Sequence, residues 1–209
     1  MTQMAGAEKT KSSSFARYSG TIMTGPSKPL SRVAVFCGSS FGNNPAFRTE
    51  ATALGAAIAR AGLVLVYGGA CRGLMGALAD AALAEGGEVI GVLPGELKNR
   101  EIAHTGLTSL ELVPTMHERK ARIHALADAF LVLPGGFGTF EELLECITWA
   151  QIGLHTKPCI LVNTANYWDG LLAFLDIAAQ AGFIEARNRE LVRVAANSAD
   201  ALAMITGAR

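Results

Sequence analysis

Four runs of this chain share one plan: VAVFCG from Val33, LVLVYGG from Leu63, EVIGVLPG from Glu88 and AFLVLPGG from Ala129. Each is apolar along its length and stops at glycine. A strand with one solvated face alternates apolar and polar residues, so unbroken apolar strands must be covered on both faces. Between them lie helical patterns. Phe47, Ala51, Leu54 and Ile58 recur at helical spacing in Pro45 to Ala61, and Leu74 to Ala84 is alanine-rich. Helices are also expected over Thr115 to Ala127, TFEELLECITWAQ and Tyr167 to Ala181, with further strands at SLELVP and PCILVN. The apolar stretch ALAMI closes the pattern.

Strand–helix alternation of this kind predicts a Rossmann-like, doubly wound α/β fold: one parallel sheet with helices on both faces, in a single domain over residues 31–209. The chain has 209 residues, half of them apolar, enough for one core of that size. Residues 1–30 are polar and lack a secretory apolar segment, and are expected to form a flexible leader. Glu8 argues against a transit peptide. With 18 basic and 18 acidic side chains, no general field favours nucleic acid or a membrane surface. No apolar run reaches the roughly 20 residues of a membrane span. Cys37, Cys71, Cys146 and Cys159 form no CxxC pair, consistent with free thiols in a reducing cytoplasm.

In doubly wound sheets, ligands bind beyond the carboxyl ends of the strands. Here those ends carry CGSS, YGGACRGLMG, LPG and LPGGFGT. A glycine loop that opens a helix exposes backbone N–H groups where the helix dipole favours an anion. PGGFGT supplies Gly135, Gly136, Phe137, Gly138 and Thr139. GGACRGLMG supplies Gly68, Gly69, Gly73 and Gly76 with Arg72. Two such loops on one sheet edge point to a phosphate. GxxxxGK[ST] is absent, which argues against a P-loop nucleotidase. GxGxxG and an acidic end to the second strand are also absent, which argues against a dinucleotide. A mononucleotide or a sugar phosphate remains.

Thr139 and Glu142 match the spacing of a capping box, in which Glu142 only satisfies the helix start. Phe140, Leu143, Leu144 and Ile147 then form the apolar stripe, leaving Glu141, Glu142 and Glu145 turned outward. Glu142, in the first turn beside the presumed phosphate, is also placed to reach a ribose. In TMHERKARIH, Arg119, Lys120 and Arg122 can neutralise phosphate or form a wet basic face. His117 and His124 lie on one helical face, with no partner at metal-ligand spacing, so no metal site is expected.

These blocks together resemble one family. PGGFGTFEE fits the PGGxGTxxE signature of the LOG (Lonely guy) family of cytokinin riboside 5′-monophosphate phosphoribohydrolases. MHERK, GGACRGLMG, VFCGSS and GLHTKPCILVN are similar to other blocks of that family, in the same order. Ala70 departs from it, standing where the family has a third glycine. Members of the family were often labelled lysine decarboxylases, yet no lysine here has an evident pyridoxal-phosphate context.

The resemblance implies hydrolysis of the N-glycosidic bond of N6-modified adenosine monophosphates, and of AMP, by a homodimer; no cofactor is expected. It implies Arg119 and Glu142 as the catalytic pair. Met116, Lys120, Gly69, Gly73 and the loop from Gly135 to Thr139 would then contact the nucleotide. A molybdenum-cofactor carrier of the same fold is the alternative, and a dinucleotide-dependent oxidoreductase a weaker one.

Overall fold

Side-chain alternation along the central strands sorts the core into two halves. Val33 and Val35 of β1 (Arg32–Phe36) enter one cluster, with Leu65 and Tyr67 of β2 (Val64–Tyr67). Ala34 and Phe36 enter the other, with Val66. β5 (Ala129–Val132) and β6 (Cys159–Val162) divide in the same way. Both faces of these strands are therefore buried, as their apolar runs require.

The computed structural model describes residues 30–98 and 103–207. Except for Leu30, the leader expected at residues 1–30 lies outside them. Leu30 itself already packs against the core. Seven strands form one sheet in the order β4-β3-β2-β1-β5-β6-β7, and every pair is parallel. β3 is Val89–Pro94, β4 Ser109–Val113 and β7 Arg193–Ala195. The first cluster lies under α1 (Pro45–Arg60), α2 (Gly73–Ala84) and α8 (Ser198–Thr206); the second lies under α4 (Met116–Leu126), α5 (Phe137–Gln151) and α6 (Asp169–Gln180). The expected doubly wound α/β sandwich is what the chain forms.

Local chemistry sets the helix starts. Asn44 accepts the Ala46 N–H through its side chain at 3.0 Å, and Pro45 occupies the first turn of α1, where its missing donor costs nothing. Thr115 and Glu118 form a reciprocal capping box on α4, which fixes the register of the helix carrying Arg119. The short helices α3 (Gly95–Lys98) and α7 (Ala186–Arg189) and the edge strand β7 carried no periodic signal in the sequence. ALAMI is part of α8.

α1 and α2 pack closely because Gly55 has no side chain. A Cβ at that position would overlap the Leu78 carbonyl oxygen, which is backbone and cannot swing aside. Gly55→Val is expected to destabilise the fold by about 1–3 kcal/mol, the range for overpacking. Urea unfolding of the variant, with the slope unchanged and the midpoint lowered, is the check.

Candidate active site

The order of the sheet reverses direction at β1, which has β2 on one side and β5 on the other. The crossovers leave β1 and β5 toward opposite faces, which opens a crevice at their carboxyl ends. Three loops meet there. The Gly38 N–H donates to the Pro134 carbonyl at 3.0 Å, and the Leu74 N–H donates to the Gly38 carbonyl at 3.1 Å. Gly73 starts α2 at φ +59°, and a Cβ there would overlap the Ser39–Ser40 backbone, so only glycine lets the second loop seat against the first.

Two cavities of about 200 Å³ flank the Gly38–Ser40 segment. Gly38, Ser40, Phe41, Pro134, Gly135, Gly136 and Tyr167 line the first. α5 begins beside it. Its N-cap, Gly136, provides no side-chain bond, so the first backbone donors of a 15-residue helix face the crevice without a side-chain cap. Unpaired donors at a helix start favour an anion. Thr139 is buried over Gly135, occupying the space a Cβ at Gly135 would need. The Tyr167 hydroxyl donates to the Gly135 carbonyl and braces the loop from outside.

Met116, Arg119, Gly68, Met75 and Leu93 line the second cavity, with Arg72 and Ser39. Arg119 is buried at its floor. Its Nε–H donates to the Val92 carbonyl at 3.1 Å, and its Nη1 donates to Glu142 Oε1 at 2.7 Å. Gly68 makes room for the guanidinium, since a Cβ there would overlap it.

The capping-box reading of Glu142 is wrong. α5 starts at Phe137, which puts Thr139 at the third helical position and Glu142 beyond the first turn. The buried stripe is Thr139, Glu142, Leu143 and Cys146, one residue round from the expected one, and Leu144 is exposed. Glu142 therefore points inward, at 8% exposure. Burial pushes its carboxyl above the usual value near 4.5, and the charge and hydrogen bond of Arg119 pull against that rise. Cys37, buried beside the pair, is held as a thiol by burial and by Glu142.

The fold brings Arg119, Glu142, Met116, Gly135, Gly136 and Thr139 to one crevice. Phe137 is instead 90% exposed. Gly138 has no neighbour within 4 Å of a would-be Cβ. Gly69 packs under Leu93 and Leu110, and its carbonyl accepts the His104 N–H at 2.9 Å, which supports the loop from below. The buried Lys120 ammonium donates to Glu141 and to Glu145, the latter at 3.1 Å, and joins α4 to α5. Those carboxylates raise its pKa, the opposite of the depressed value a Schiff-base lysine needs. Ser39, Ser40, Phe41, Met75, Leu93 and Tyr167 were not singled out from the sequence; the signal for all but Tyr167 was the placement of CGSSFG, GGACRGLMG and LPG at strand ends.

Arg119→Ala would leave Glu142 buried without its cation. Below the ordinary carboxylate pKa both folded and unfolded states hold the proton, so the cost there is small. It grows as pH rises toward the elevated folded-state pKa, because only the unfolded chain ionises freely. A loss approaching about 3–5 kcal/mol is expected at alkaline pH, the range for breaking a buried pair. Urea unfolding at mildly acidic and mildly alkaline pH measures the difference.

Comparison with known proteins bears on this crevice. The family described as "Possible lysine decarboxylase" matches residues 75–205. "Cytokinin riboside 5'-monophosphate phosphoribohydrolase" of Rhodococcoides fascians is 46% identical over 187 residues, covering 88% of this chain and 94% of that protein. A protein of Arabidopsis thaliana with the same name, LOG2, is 43% identical over 174 residues, covering 83% and 82%. Among solved structures, the Moco carrier protein of Chlamydomonas reinhardtii superimposes with a TM-score of 0.64 at 22% identity, covering 85% of this chain and 96% of that one. The molybdenum cofactor binding protein of Rippkaea orientalis also gives 0.64 at 22%, covering 88% and 98%. At that identity the likeness concerns the fold.

Proposed function

We propose that this chain, which belongs to the LOG family of cytokinin riboside 5′-monophosphate phosphoribohydrolases, hydrolyses the N-glycosidic bond of N6-modified adenosine monophosphates. AMP is a second substrate. The products are the free base and ribose 5-phosphate. The observation that carries the reading is the buried Arg119–Glu142 pair, at 2.7 Å, set beside the uncapped start of α5.

The backbone donors of Phe137 to Thr139, with the Gly135–Gly136 turn, receive the 5′-phosphate. Met116 and Arg119 face the base. Glu142 lies between these groups, at the ribose. Scission of C1′–N9 builds positive charge on the sugar, as in glycoside hydrolysis, and a carboxylate in a site of low polarity stabilises it strongly. The bonding pair leaves with N9. Water adds to C1′ and gives a proton to Glu142, whose raised pKa suits proton transfer nearer neutrality; the departing purine takes one proton from solvent to become the free base, and Glu142 returns its own to solvent. Arg119 cannot act as a base, since its pKa exceeds 12; its guanidinium meets the charge on the departing purine. Grip on the remote phosphate positions the ribose, so a nucleoside without phosphate is a poor substrate. Lys120 acts by holding Glu141 and Glu145, and Gly69 and Gly73 by shaping the second loop.

We also assign a cytoplasmic homodimer. Three of the four free cysteines are buried, and Leu154, Phe174, Ile177 and Phe183 form exposed apolar surface for a second copy. No helix among the described residues is long and apolar enough to cross a membrane.

Incubation with isopentenyladenosine monophosphate, followed by chromatography, is expected to show free base. Glu142→Gln keeps the hydrogen bond to Arg119 and the fold but abolishes release, and Arg119→Ala slows turnover on the order of 10²-fold or more. A folded Glu142→Gln protein with normal release overturns the assignment, and no release by the wild type favours a carrier. The wild-type kcat/KM is expected to fall with acid along a limb whose midpoint lies above the usual glutamate value near 4.5, because protonation removes the working carboxylate. A pH–rate profile checks this.

A further inference from the structure

Three side chains with metal-binding chemistry meet outside the two cavities, and a fourth packs beside them. They are His124 near the end of α4, Cys146 on α5, His155 in the following loop and Cys159 at the start of β6. His124 Nε2 lies 3.9 Å from Cys146 Sγ. One donor atom from each of His124, Cys146 and His155 falls within 4.8 Å of the other two. Cys159 packs beside Cys146 in the same core cluster. A tetrahedral ion with roughly 2.0–2.1 Å bonds to nitrogen and about 2.3 Å bonds to sulfur sets such donors roughly 3.5 Å apart. The His124–Cys146 edge closes by a few tenths of an ångström, while His155 and Cys159 turn in further to reach the same ion.

The polar groups here are poorly satisfied as they stand. His124 Nδ1, His155 Nε2 and Glu145 Oε2 are buried without a hydrogen-bond partner among the described residues. Buried polar atoms seldom remain unpaired, and here three belong to one neighbourhood. Glu145 Oε2 stands 3.9 Å from His124 Nε2 and adds negative charge that favours a cation.

We propose that His124, Cys146, His155 and Cys159 form a closed tetrahedral site for a zinc-class divalent ion, which pins α4, α5 and β6 together. Two imidazoles and two thiolates select that ion over magnesium or calcium, which prefer oxygen. With four protein donors and no open position, the site is structural. Burial lowers the pKa of His124 to about 4 and also lowers that of His155, with the neighbouring Lys157 acting in the same sense on both, so both rings keep a lone pair at neutral pH. Burial likewise keeps Cys146 protonated in the absence of a cation; loading forms two metal–sulfur bonds and releases both thiol protons to solvent. One contact must open. The Lys157 N–H donates to His155 Nδ1 at 3.2 Å, and a metal on Nε2 moves the ring proton to Nδ1.

The test uses the full chain, reduced, stripped with a chelator and titrated with cobalt(II), then zinc(II). One cobalt ion per chain is expected, with a thiolate-to-cobalt absorption band and tetrahedral visible bands, both abolished by zinc, and a raised Tm. Cys146→Ser and His124→Ala are each expected to weaken binding by more than the roughly 100-fold upper range for losing an outer partner of a ligand. Circular dichroism confirms that they fold; if they do not, the wild-type spectrum and Cys159→Ser decide. A wild type that shows no thiolate band, or that only joins Cys146 to Cys159 in a disulfide, overturns the proposal. So does a band that survives the substitutions. None of these readouts depends on nucleotide cleavage.

Discussion

A parallel strand cannot pair with its successor through a tight turn, so each connection must cross a face of the sheet. In this chain that constraint places every working loop at one edge. Where the order reverses, between β1 and β5, two crossovers depart to opposite sides and the sheet leaves a gap. The backbone bonds from Gly38 to Pro134 and from Leu74 to Gly38 lock three loops around that gap. The crevice is a product of topology before any side chain enters it.

The Arg119–Glu142 pair uses that position. Removing two charges from water is costly, and a buried pair rarely repays the cost in stability alone. Here the guanidinium is held on a second side by the Val92 carbonyl of β3, and the carboxylate stands on α5. One ionic contact thus joins a strand and two helices at the crevice. Its energetic tension shows in Glu142, which is pulled upward by burial and downward by Arg119. A carboxylate in that balance suits a proton-transfer role better than a solvated one. Lys120, the next residue, ties the same two helices through Glu141 and Glu145 and keeps the pair in register.

Much of this was legible in the residues. The unbroken apolar strands announced a sheet covered on both faces, and the glycine loops announced the edge where three loops meet in a crevice. The capping-box alternative for Glu142 came from its spacing to Thr139, and hydrophobicity put the buried stripe on Phe140, Leu143, Leu144 and Ile147, turning Glu142 outward. The true stripe carries Thr139 and Glu142, polar residues that turn inward because Gly135 and Arg119 receive them. The proposed site at His124 was out of reach of the sequence for a similar reason: spacing along one helix cannot show Cys146 or His155.

The amino-acid sequence by itself determined the layers, the parallel sheet and the glycine turns, because these follow from periodicity and backbone freedom within a few residues. The tertiary structure alone decided which polar groups became buried partners. Arg119 meets Glu142 across 23 residues, and His124 meets Cys146 across 22. Such meetings depend on how two helices rotate against one sheet, and that rotation is set by the packing of the whole core.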